Sequence, residues 1–136
     1  MEKITPLAQA ETLFLDSLYS EREYIEEWIY SGNFSEYPAS LYDIKPEYFL
    51  LNDYIYSLEN ALGVTHQLPF DSVIDILNTV NAPKYSLSAW YHLLYKMNDN
   101  IFDIFSDNKL DDNVICALLA FVKCFSETIR TIEKMP

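Results

Sequence analysis

The chain has 136 residues, half of them hydrophobic and 15% aromatic, and carries a formal net charge of −12. That apolar fraction suffices for a core, so the charge does not mark a disordered chain, while its sign argues against nucleic acid or an anionic membrane as a direct partner. One domain is expected over residues 1–136, with a radius of gyration of about 14 Å and roughly 68% of its extended-chain surface buried on folding.

Only two glycines are present, Gly32 and Gly63, and no run of β-branched residues alternates as a half-buried strand would. An all-α bundle of about six helices is therefore predicted. Thr5 with Pro6 reads as a helix start, followed by Leu7, Ala10, Phe14 and Leu18 on one face. Ser20 with Glu23 three residues on has the form of a capping box, which predicts a second helix or a kinked continuation carrying Tyr24, Ile25, Trp28 and Ile29 inward until Gly32 ends it. Asn33–Lys45 shows no sustained period and reads as a loop. Pro46 is expected to open the third helix, which bears Leu51, Ile55, Leu58 and Leu62 and closes at Gly63, and Pro69 to start a short fourth one through Leu77. Helix five, capped by Ser86, carries Leu87, Trp90, Leu94, Met97, Ile101 and Ile104. Helix six, capped by Asp111, carries Ile115, Leu118, Val122, Phe125, Ile129 and Ile132. The short link between these two predicts an antiparallel hairpin that scaffolds the fold.

The apolar stretch Val114–Val122 is shorter than the ~20 residues that cross a bilayer, and the acidic N-terminus does not resemble a signal peptide, so a cytosolic protein is expected. Cys116 and Cys124 lie eight apart on one predicted helix, separated by about 12 Å of rise, and cannot bridge each other within it. Free, buried thiols are the expectation.

Most of the chemistry of catalysis is missing from the sequence. Neither glycine lies in a phosphate loop, nucleophile elbow or dinucleotide fingerprint, so no enzyme activity and no cofactor are expected. His66 and His92 are isolated from one another and from the cysteines, which argues against a metal site; His66 reads as solvated and His92 as a surface or boundary residue. Asp99, Asp103, Asp107 and Asp111 recur every fourth residue, whereas calcium loops use alternate positions and a glycine. They read as a solvated helix face, although acids near a helix C-terminus are disfavoured by the dipole.

What is present is a lopsided charge. Residues 1–75 carry 14 acidic and three basic side chains, residues 76–136 seven and six. Glu23, Glu26, Glu27 and Tyr30 are placed on the helical face opposite Ile25 and Trp28, and Glu36, Tyr37, Tyr42, Asp43 and Glu47 continue the mixture of carboxylates and phenol rings. These nine residues form the candidate partner-binding set, with the acids steering a basic partner and the tyrosines anchoring it. In size, acidity, helical content and lack of catalytic apparatus, the chain resembles the immunity proteins that protect bacteria from their own basic toxins; the resemblance is one of overall character and covers no motif. It implies an inhibitor that covers the basic groove of a nuclease-type toxin. Two alternatives share the composition: a DNA-mimicking decoy for a nucleic-acid-binding protein, and a helical adaptor or oligomerisation module whose charge only maintains solubility.

Overall fold

Apolar side chains spaced three and four apart wind into five helices among the residues described. The structure, a computed structural model, describes residues 5–31, 41–107 and 109–135, with the backbone alone at 31 and 107. The elements are α1 (Pro6–Ser31), α2 (Leu41–Leu62), α3 (Asp71–Asn78), α4 (Leu87–Asp107) and α5 (Asp112–Glu133), and no strand occurs among the described residues.

The all-α class holds, but six helices become five. α1 runs unbroken through the expected capping box: Ser20 Oγ donates back to the Asp16 carbonyl at 3.3 Å, inside the helix, and so does not cap a new one. Nothing between Leu18 and Ile25 breaks the helix, because the buried stripe Ala10, Phe14, Leu18, Ile25, Ile29 continues in register across it. Pro46 lies inside α2 instead of opening it. Its missing N–H deprives the Tyr42 carbonyl alone, close to the helix start, so the chain folds helically from Leu41 onward and shortens the expected loop. The remainder of that loop, with Gly32 and its expected left-handed cap, lies outside the described residues.

Other termini follow their local chemistry. The Ala8 amide donates to Thr5 Oγ1 at 3.1 Å, and the Ala89 amide to Ser86 Oγ at 3.0 Å. Asp111 caps α5 through its backbone carbonyl, which accepts from the Val114 and Ile115 amides at 3.0 Å, with no side-chain bond. α3 begins two residues after Pro69, with Phe70 as its cap residue. At the end of α2, Gly63 adopts φ 67°, and the paired bonds Val64 N–H to Glu59 O (3.1 Å) and Gly63 N–H to Asn60 O (3.2 Å) complete a Schellman closure.

The four long helices pack as a bundle. α1 lies against α2, α4 and α5, α2 against α4, and α4 against α5, while α3 rests on α1. Both hairpins are antiparallel: Arg22 meets Asn52 and Glu26 meets Tyr48 across α1–α2, and Tyr91 near the start of α4 reaches Glu133 at the end of α5. The expected seam of the α4–α5 hairpin is buried through Leu94, Met97, Ile101, Ile104, Leu118, Phe125 and Ile129, whereas Leu87 is exposed. Phe14 joins three helices, with ring centroids 5.9 Å from Tyr54, 5.7 Å from Phe121 and 5.8 Å from Phe125. Burial raises the pKa of the Tyr54 hydroxyl beneath this cluster. No described helix is long and apolar enough to cross a membrane. Cys116 and Cys124 are free, as expected, but exposed instead of buried, because the inward face of α5 is taken by Val114, Leu118, Phe125 and Ile129.

Two substitutions test this packing. Phe14→Ala should lower the unfolding free energy in urea by about 3–5 kcal/mol, through the lost aromatic cluster and the cavity left behind. Gly63→Ala should cost about 1–2 kcal/mol from left-handed backbone strain alone, since no atom lies within 4 Å of the added Cβ.

Candidate functional site

The seven described residues of the nine-residue set fall on more than one part of the molecule. Glu23, Glu27 and Tyr30 stand exposed on α1, in line with Asp16 at helical spacing, and Tyr24 beside them is also exposed. Glu26 is not on that face: it is buried at 5% exposure, because the seam facing α2 and the chain before α3 runs through Arg22 and Glu26. Tyr42 and Asp43 are exposed in the first turn of α2, and Glu47 is buried at 6%. Glu36 and Tyr37 lie outside the described residues. The expected single face is thus a stripe on α1, an interior carboxylate and a cleft at the start of α2.

That cleft, of about 610 Å³, lies between α2 and α4, with Tyr42, Pro46, Glu47, Ala89, His92 and Lys96 among its walls. Lys96 from α4 pairs with Glu47 at 2.8 Å and stands 3.7 Å from Glu21 of α1, so a cation of the second half of the chain neutralises the buried acid of the first. Glu47 thereby joins α2 to α4. His92 is exposed, as expected.

The buried polar residues form a second feature, which the sequence reading missed. Glu59 is 1% exposed, and its carboxylate accepts from the Tyr19 hydroxyl at 2.6 Å and from the Gln67 amide at 2.7 Å, with His66 Nδ1 3.2 Å away. His66 is thereby half-buried instead of solvated, its ring stacked on Tyr56 at 4.1 Å between centroids. Arg22, 6% exposed, donates to Asn52 Oδ1 at 2.8 Å and to the Gln67 carbonyl at 3.1 Å, and lies over the Tyr19 ring. Glu26 accepts from the Tyr48 hydroxyl at 2.8 Å and from the Phe70 amide at 3.4 Å. Together these three ions clamp the segment between α2 and α3 onto the α1–α2 pair.

The protonation states follow from these contacts. Burial alone would raise the pKa of Glu59, but the bonds from Tyr19, the Gln67 amide and His66 outweigh it and leave the carboxyl below its ordinary value of 4.5. Burial, and next the bond to Glu59, pushes the Tyr19 hydroxyl up to about 12. Burial and the bond to Glu26 likewise raise Tyr48. Both tyrosines therefore stay donors at neutral pH.

A sequence signal for the clamp does exist. Arg22 follows Leu18 by four residues and Glu59 follows Ile55 by four, so both are charged residues on apolar stripes. Among the described residues, no group of three or more His, Cys, Asp or Glu side chains could hold a metal ion. No family model, no curated protein and no solved structure matches this chain.

Because the folded-state pKa of Glu59 is depressed, its contribution is present above the unfolded-state value and fades as pH falls through the lower folded value. Glu59→Gln should therefore be less stable than the parent at neutral pH by about 1–3 kcal/mol. The gap should narrow once the pH drops below 4.5, as read from urea unfolding at a series of pH values.

Proposed function

We propose that this chain is a non-enzymatic binding protein that neutralises a basic protein, in the manner of an immunity protein covering the cationic groove of a nuclease-type toxin. One observation carries the reading. Every exposed charged side chain described between residues 5 and 75 is a carboxylate: Asp16, Glu23, Glu27, Asp43, Asp53, Asp71 and Asp75. The fold produces this by withdrawing the cations of that region. Arg22 is buried in the clamp, and Lys45, 7% exposed, donates its ammonium to the Val80 carbonyl at 3.0 Å.

Folding thus withdraws the one cation of α1, Arg22, while leaving Asp16, Glu23 and Glu27 in solvent, where they attract a cationic surface over roughly a Debye length. Glu23 and Glu27, one turn apart, supply that field beside Tyr24 and Tyr30, whose rings carry apolar area with a polar tip. Such a surface raises the association rate with a basic protein and repels phosphates.

Charge reversal at the stripe tests the reading without disturbing the interior. Glu23→Lys combined with Glu27→Lys, with buried Glu26 left intact, should slow association with a basic partner retrieved by low-salt affinity capture about tenfold. It should also flatten the dependence of that rate on salt between about 50 and 200 mM. Association kinetics on a sensor surface measure both; equal rates for parent and variant at both salt concentrations would refute the assignment.

A further inference from the structure

We propose that Tyr30, Leu68 and Phe70 form an apolar anchor within the acidic face, against which a basic partner protein packs an apolar side chain that it presents among lysines and arginines. The inference rests on the reading that the partner is cationic, and specifies what holds it once charge has brought it in.

Leu68 is 81% exposed, Phe70 61% and Tyr30 51%. A lone exposed apolar residue is ordinary, whereas a contiguous group marks an interaction site. Here two of the three are in contact: the Phe70 ring stands edge-on to Tyr30 with centroids 6.4 Å apart, and the Tyr30 hydroxyl shares a hydrogen bond with Ser72 Oγ. Leu68 sits two residues earlier on the same clamped segment.

That segment is held from beneath by ions. Glu59 takes the Gln67 amide, Arg22 the Gln67 carbonyl and Glu26 the Phe70 amide, which pins the backbone on both sides of Leu68. Burying three charged groups sacrifices hydration that a solvent-exposed connection does not need to give up. The return is a fixed display of Leu68 and Phe70, so that little ordering entropy remains to be lost on binding.

The rim indicates the occupant. Glu27 lies three residues before Tyr30 on α1, and Asp71 lies between Phe70 and Ser72; both are exposed. An apolar centre flanked by two carboxylates is complementary to an apolar side chain flanked by cations. A second copy of this chain would bring the same negative rim and be repelled, as would phosphates of nucleic acid or lipid.

The test uses the full chain and two synthetic peptides of equal length and charge, one alternating lysine with leucine and the other lysine with serine. Calorimetric titration should show the leucine peptide binding about tenfold more tightly than the serine peptide. Leu68→Ser with Phe70→Ser should abolish that preference while leaving binding of the serine peptide and the melting temperature unchanged. Backbone amide resonances of Gln67, Leu68, Phe70 and Asp71 should shift with the leucine peptide in the parent. Equal affinity of the parent for both peptides, or a preference that survives the double substitution, overturns the anchor while leaving the charge reading standing. Failure of both peptides to bind overturns the cationic-partner reading itself.

Discussion

Three buried ions at the junction of α1 and α2 decide how the rest of this molecule is arranged. Arg22, Glu26 and Glu59 are each nearly or fully out of solvent, and a buried ion survives only when its lone pairs or protons are met. Here they are met by Asn52, Tyr48 and Tyr19, and by backbone groups of Gln67 and Phe70. A helix pair that could have sealed with leucines instead recruits the connection leading to α3. The position of α3 on α1, the stacking of His66 on Tyr56 and the outward aim of Leu68 all follow from that requirement.

The same requirement shapes the electrostatic surface. A cation used to satisfy interior acceptors cannot screen acids on the exterior, and both Arg22 and Lys45 are used in this way. The acids drawn inward are each met locally, Glu47 by the Lys96 ammonium and Glu26 and Glu59 by hydrogen bonds from hydroxyl and amide donors. Interior and surface are therefore coupled. The charge balance of the outer face depends on which ions the core needs, and composition alone does not report that choice.

The elements differ in how far the sequence foretold them. Thr5, Ser86 and Gly63 act through bonds within a few residues, so their roles as cap or closure were legible without a fold. The α4–α5 hairpin was equally legible, because a seam repeated on two helices with a short link leaves one economical arrangement. At Ser20 local chemistry permits either a capping box or a continuing helix, and the continuing helix forms because it buries one continuous stripe that the tertiary contacts favour. Pro46 is similar, since proline suits a first turn but is tolerated one turn later where it deprives only a single carbonyl.

By itself the amino-acid order determined the helical class, most helix ends and the excess of carboxylates in the first 75 residues, since propensity, periodicity and formal charge are properties of near neighbours. Only the tertiary structure decided which carboxylates face water. Glu26 and Glu27 are adjacent in sequence and identical in chemistry, yet one is sealed against Tyr48 and the other is exposed. Successive residues on a helix point about 100° apart, and the neighbouring elements that close over one direction come from residues 22 to 44 positions further along the chain, at a distance that no local pattern encodes.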